Sequence, residues 1–442
     1  MYHSQDKSNK TIKKLSVLLT SDQDFCNYSH SSIEAIGGHL AYHLTEASEE
    51  LKEQCLKESE EIGDPKYQYP IFFDRLIHSR AKDIKGVITL KLPDSDCTLV
   101  PSNCSNIKEG DFFKKLSFVD SAIVTFSAMN KALHEELAEQ NDYKDLFCNM
   151  FTFGIKEVII AVDNMDMVDY DEEQFESIKR TISNILPKIG YRLNKVNFIP
   201  ISSTTEDNIC ENSSNMQWYQ GPLLCTAVNQ LAQARTLYHP FKFLCSEAYR
   251  EEKKTTLFEG KVIEGSITAG SNIYGIKLPK TKVLEIFKFG ESISEAKAGD
   301  FVTLNVGKKS LKEIKSEHIL TDVPVPPPSS FDAHCIFIKI INGTAEDLDN
   351  KDYITVGYQC RLSIGGTQTC CVVSEIISKL DKRTGRVLEE NPEKIYSGDA
   401  AIFKITPCKP IICYSFIESA KLGRLLVGNQ ESLAVGIVKS IE

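Results

Sequence analysis

Apolar residues in the first half of the chain fall in short continuous runs separated by stretches of helical period. "LSVLL" (15–19), "DSAIVTF" (120–126), "KEVIIAV" (156–162) and "VNFIPI" (196–201) read as strands buried on both faces, as a parallel sheet covered by helices requires. Between them, Leu40, Leu44, Ala47 and Leu51 share one helix face. Phe175, Ile178, Ile182, Ile185 and Ile189 share another, with Gly190 placed as a C-terminal cap. This alternation predicts a doubly wound α/β domain over 1–237. After about residue 238 the helical period fades. Short strands with glycine turns take over, as in "FEGKVIEGSITAGSNI", "KAGDFVTLNV", "YSGDAAIFKI" and "LAVGIVKSI". They predict two β-barrels, over 238–325 and 326–442. The proline run "DVPVPPPSS" (322–330) divides them, because it must be extended and cannot enter a sheet interior.

Composition narrows the function classes. A chain of 442 residues with 42% hydrophobic and 25% charged residues is ordinary globular material for several domains. Its formal net charge of -10 gives an overall field that disfavours nucleic acid, and DNA is not an expected partner. No apolar run approaches the roughly 20 residues of a membrane span. The apolar core of "MYHSQDKSNKTIKKLSVLLT" is too short for a signal peptide, so a cytoplasmic setting is expected. The 14 cysteines include no C-x-x-C pair. They read as scattered buried thiols of a reducing compartment rather than a disulfide framework.

Ligands of doubly wound sheets bind beyond the carboxyl ends of the strands. "AVDNMD" (161–166) and "ISSTTEDN" (201–208) lie there, and the stretch after "LSVLL" is the place for a phosphate loop. An α/β domain followed by two barrels resembles the translational GTPases, and elongation factor 1-alpha in particular. Related release and ribosome-rescue factors share the arrangement. The resemblance is carried by "GHLAYHLTEASEELKEQCLKESEEIG" (38–63), "FIPISSTTEDNICENSSNMQWYQG" (198–221), "SEAKAGDFVTLNV" (294–306), "LDKRTGRVLEENPEKIYSGDAAI" (380–402) and "AVGIVKSI" (434–441). It spans nearly the whole chain. It implies GTP-dependent delivery of aminoacyl-tRNA to the ribosome.

The residues that family uses for GTP are altered here. Its phosphate loop ends in G-K-[S/T], where glycine backbone wraps the phosphates, lysine neutralises them and the hydroxyl ligates magnesium. Aligned on "GHLAY", the lysine position is Ile33 and the hydroxyl position Glu34. The family's D-A-P-G-H becomes Pro101, Ser102, Asn103, Cys104 and Ser105, which leaves no magnesium carboxylate, γ-phosphate glycine or water-orienting histidine. Thr89, in "GVITL" (86–90), stands one residue out of step with the family's magnesium threonine. The guanine reader N-K-x-D becomes Asp163-Asn164-Met165-Asp166. By resemblance, Asp166 and Ser202 are residual guanine contacts, and the first residue of the motif ties this loop to the phosphate loop.

The competing readings of other residues are plainer. His39 and His43 at i, i+4, with Glu46 a turn on, read as part of a helix face rather than a metal site, and no metal is expected. Trp218 reads as packing at a domain joint. Lys379, Lys382, Arg383 and Arg386 form a basic cluster that could meet RNA phosphates or simply a solvated turn. The expectation is an elongation factor 1-alpha-like protein with a degenerate GTP site, no catalytic residues and no required cofactor. It would contact tRNA, ribosome or translation factors through the two barrels. The alternatives are a divergent GTPase that still binds GTP and magnesium and carries aminoacyl-tRNA, and a scaffold outside translation.

Overall fold

The computed structural model describes residues 13–21, 32–45, 48–64, 67–79, 87–91, 95–102, 110–130, 142–231, 240–251, 255–276, 278–308, 319–339, 353–428 and 433–442. The first domain is a six-stranded sheet in the order β2-β3-β1-β4-β5-β6. Its strands are β1 (Lys13–Ser21), β2 (Ile88–Lys91), β3 (Ser95–Pro101), β4 (Ser121–Ser127), β5 (Glu157–Asp163) and β6 (Val196–Pro200). All neighbours are parallel except β2 and β3. Four of these strands coincide with the apolar runs. Alternate residues serve opposite faces. Leu18, Val124, Ile160 and Val162 face one core with helices α4 (Gly110–Phe118), α5 (Asp142–Thr152) and α6 (Glu172–Ile189). Val17, Leu19, Ile123, Ile159 and Ile199 face the other, with α1 (Ser32–Leu44), α3 (Gln68–Ser79) and α7 (Leu224–Gln230). This is the doubly wound arrangement expected.

Helix α6 buries Phe175, Ile178, Ile182 and Ile185. Gly190 caps it at φ 120°, donating its N–H to Leu186 and Pro187. The face drawn through Leu40, Leu44 and Leu51 does not belong to one helix. Helix α1 ends at Leu44, and α2 (Glu49–Ile62) starts afresh on Ser48, whose hydroxyl accepts the Leu51 N–H. Ala47 lies outside the described residues. Helices α1 and α3 pack so closely that a Cβ on Gly38 would sit 2.1 Å from the Tyr69 carbonyl oxygen. Gly38→Ala is therefore expected to force the two helices apart and lower stability by about 1–3 kcal/mol. Urea unfolding of the variant checks this.

The second domain is an eight-stranded antiparallel sheet plus a two-stranded ribbon. Its first strands are β7 (Lys242–Glu251) and β8 (Thr255–Glu264). Among the described strands its two ends do not pair, so it is a half-barrel rather than a closed one. The third domain does close. Strand Gln359–Ile364 pairs with both Arg424–Gly428 and Thr367–Leu380, which completes a six-strand ring around Phe331, Leu362, Phe403 and Leu425. Residues 322–330 form no strand, as the prolines require.

The three domains share buried material. The core under α4 and α5 continues into Leu244, Phe301, Ile319, Leu422 and Leu426 of the barrels. The Lys261 side chain is wholly buried. Its ammonium reaches Asp120 at 2.9 Å, the Ser16 hydroxyl and the Phe118 carbonyl across the domain boundary. A four-charge cluster lies beside it. Lys288 bonds Asp96 and Asp300 at 2.6 Å, and Lys14 bonds Asp300 at 2.6 Å. Burial pushes the Asp300 carboxyl up, but Lys288 and Lys14 overcome that and hold it below its ordinary value. From the third domain, Lys421 donates to the carbonyls of Leu116, Val119 and Phe153, and Arg424 to that of Thr152 at 2.9 Å.

Candidate functional site

The carboxyl ends of β1, β3, β4, β5 and β6 converge above the sheet, where a nucleotide would lie. Residues 22–31, the place for a phosphate loop, are outside the described residues, as are Cys104 and Ser105. The head of α1 is described. Ile33, in the lysine position, is 7% exposed and packs into the core with Leu19 and Ile36. Glu34 sits in the first turn. A carboxylate there suits the helix dipole but opposes a phosphate at the same spot. Pro101 ends β3, and the next residue, buried Ser102, donates its N–H to the Leu19 carbonyl at 2.9 Å. Thr89 pairs with Thr98 inside β2. None of the described residues Ile33, Glu34, Thr89, Pro101 and Ser102 supplies an ammonium group or a glycine.

The base-side loop is described in full. Asp163 ends β5 with no exposed surface. Its carboxylate accepts the Ser203 N–H at 2.8 Å, the Ser203 hydroxyl at 2.7 Å and the Asn164 N–H at 2.7 Å, and it also bonds the Ser32 hydroxyl. Asp163 thus joins β5, the loop after β6 and the head of α1. Burial pushes its pKa above the usual carboxylate range, against the pull of these hydrogen bonds. Asn164, in the lysine position, adopts φ 63° and accepts from the Ser127 hydroxyl at 3.1 Å. Ser202 donates to Asp166 at 2.7 Å. The four predicted residues Asp163, Asn164, Asp166 and Ser202 do come together, while Ile33 serves the core. Ser203 and Ser32 were not singled out from the sequence. The doubled serine of "PISS" (200–203) is the one signal for Ser203, and nothing comparable marks Ser32.

Other expectations land differently. The Cys210 and Cys225 side chains form a disulfide, whereas the spacing gave no reason to pair any cysteines. The bridge ties the loop after β6 to α7. Trp218 donates its indole N–H to Tyr170 at 3.2 Å and packs on Phe175, within the first domain rather than at a domain joint. In the third domain, Lys379 pairs with Asp399 at 2.7 Å. Lys382, Arg383 and Arg386 are exposed on a turn held by Asp381, which accepts from Arg383 and Thr384. Glu46 lies outside the described residues; among those described, Glu206 from the loop after β6 stands beside His39 and His43. Burial lowers the His39 pKa to about 4.

Among the described residues, no helix is long and apolar enough to cross a membrane. Residues 347–439 match a family model described as GTP-eEF1A C-terminal domain-like. Elongation factor 1-alpha of Plasmodium falciparum is 30% identical over 417 residues, covering 92% of this chain and 91% of that protein. Elongation factor 1-alpha 1 of Euplotes crassus is 29% identical over 420 residues, 92% of each chain. The fold is shared with the Ski7 GTPase-like domain of S. cerevisiae, solved bound to GTP, at a TM-score of 0.72, 16% identity and 97% of each chain.

Proposed function

Because the chain belongs to the elongation factor 1-alpha family of translational GTPases, we propose that it is a member whose nucleotide site no longer supports efficient GTP binding and hydrolysis. It would act by binding translation components. The observation that carries this reading is the head of α1, where a buried Ile33 and an acidic Glu34 replace the cation and the magnesium hydroxyl. Hydrogen bonds to charged groups are worth about 1.5–3 kcal/mol each. Losing the lysine, the metal ligands and the glycine cradle removes on the order of 6–10 kcal/mol, or roughly 10⁴- to 10⁷-fold in affinity. Asp166 and Ser202 cannot offset that. Hydrolysis loses more, since phosphoryl transfer depends almost wholly on positioning and charge stabilisation.

A cleft of about 640 Å³ between the first and third domains supports a phosphate-bearing partner. It is lined by Lys156, Arg192, Lys195, Lys421 and Arg424 against Asp120 and Glu157. Arg192 and Lys195 are exposed. Such cations meet RNA phosphates despite an acidic total charge.

Two measurements test the reading. Titration with a fluorescent guanine nucleotide and magnesium is expected to show no saturable binding in the micromolar range. Tight, guanine-selective binding would restore the active-GTPase alternative. In co-sedimentation, the protein is expected to travel with ribosomes, and Arg192→Glu with Lys195→Glu is expected to reduce the bound fraction several-fold. Consistent absence from ribosomal fractions would favour a scaffold outside translation.

A further inference from the structure

His39 and His43 lie one turn apart on α1, and Glu206 reaches them from the loop after β6. One ligand atom from each lies within 4.8 Å of the other two. The His43 Nε2 to Glu206 Oε2 distance is 3.8 Å. Two ligands of a tetrahedral zinc ion stand about 3.3 Å apart, given bonds of about 2.0–2.1 Å. Closing the set takes side-chain movement from this arrangement, in which the two imidazoles lie parallel with centroids 6.0 Å apart. We infer that His39, His43 and Glu206 form a binding site for a divalent transition metal of the zinc class, which would pin α1 to the loop after β6.

Three further features fit this site. The first is the state of the His39 ring. Its Nε2 lies 2.8 Å from the Ser203 carbonyl, which can only accept, so Nε2 carries the proton. That leaves a lone pair on Nδ1, which is buried and lacks any hydrogen-bond partner. An imidazole whose N–H is held by a carbonyl is how ligating histidines are usually oriented. The second is Tyr69, whose hydroxyl donates to Glu206 Oε1 at 2.6 Å and so fixes the carboxylate with Oε2 towards His43. Its ring also packs against His39, tilted by 31° with centroids 3.7 Å apart. The third is access. His39 is fully buried, but the His43 and Glu206 side chains are 31% and 46% exposed, so a hydrated ion can enter from one side. Two imidazoles with one carboxylate suit zinc and disfavour magnesium or calcium, which take oxygen ligands.

The site would also communicate with the base-side loop. Ser203, whose carbonyl orients His39, gives both its N–H and its hydroxyl to Asp163. A cation bound only by the folded chain raises its stability by mass action. The inference does not depend on whether GTP binds.

The test is titration of the chelator-stripped full chain with zinc alone by calorimetry, with cobalt absorption as a second readout. The wild type is expected to take up one ion saturably, and zinc is expected to raise its melting temperature. His43→Ala and Glu206→Gln, both at exposed positions, are expected to weaken uptake at least about tenfold and abolish the thermal shift. Tyr69→Phe is expected to weaken it about tenfold while leaving all three ligands in place. No saturable uptake by the wild type overturns the inference. So does undiminished uptake by the His43→Ala/Glu206→Gln double variant, which would put the ion on cysteines elsewhere.

Discussion

Lys261→Met is expected to loosen the first domain from the half-barrel and cost about 3 kcal/mol. The Lys261 side chain has no exposed surface, and its ammonium lies among the Asp120 carboxylate, the Ser16 hydroxyl and the Phe118 carbonyl. Removing one member of a buried pair typically costs about 3–5 kcal/mol, because the other charge stays desolvated. The lower end applies here. Asp120 is 19% exposed, accepts from Ser16 at 2.5 Å and has the Lys421 ammonium at 4.0 Å. The loss falls on a boundary rather than inside one core. Unfolding is therefore expected to lose cooperativity, with the first domain melting before the barrels. Adding Asp120→Leu, which removes the stranded charge, is expected to recover part of the loss. Denaturation followed by separate probes in each domain decides it. A single cooperative transition shifted by less than about 0.5 kcal/mol would remove Lys261 from this role.

The same lysine shows where sequence reading stops. Strands β1, β4, β5 and β6 were legible because parallel strands buried on two faces must be apolar throughout. Helix α6 was legible from its isoleucine spacing and Gly190. The break between α1 and α2 was not, because Ser48 sits in a polar stretch where a cap and a solvent-facing serine look alike. Lys261 appeared as one letter of a strand motif, and nothing local marks a lysine whose partners lie 141 to 245 residues away. Hairpins of the last two domains could be read from their glycine turns. Closure could not, since it depends on how the sheet edges meet. At the strand ends, family spacing picked out Asp163, Asp166 and Ser202, which the fold brings together. It could not show that Asp163 spends its carboxylate on Ser203 and Ser32. Likewise, the i, i+4 histidines were visible on α1, but Glu206 joins them only through the tertiary fold.

That arrangement separates two uses of the base-side loop. If the loop is kept as a reader, Asp166 is the residue that matters. If it is kept as a latch, Asp163 is. Asp163→Ala is expected to destabilise the chain by about 3 kcal/mol or more. The alanine leaves the Ser203 and Asn164 N–H groups and two hydroxyls without their buried acceptor, and each unsatisfied buried group costs about 1–3 kcal/mol. Asp166→Ala removes one contact from Ser202 and is expected to cost under about 1 kcal/mol. Asp163→Asn keeps an amide oxygen for the two N–H groups, and the Ser203 hydroxyl can rotate to accept from the new NH₂. It is expected to fall between the other two. Its cost should also vary with pH. Burial raises the folded pKa of Asp163 above 3.8, so the folded chain holds that proton more tightly than the unfolded chain does. The stability this contributes is complete below pH 3.8 and disappears as pH rises through the folded value. Asparagine lacks the term, so the wild type's margin over Asp163→Asn is expected to be widest in acid and to narrow towards neutrality. Urea midpoints at several pH values measure it. Equal costs for Asp163→Ala and Asp166→Ala, with a margin independent of pH, would count against the latch.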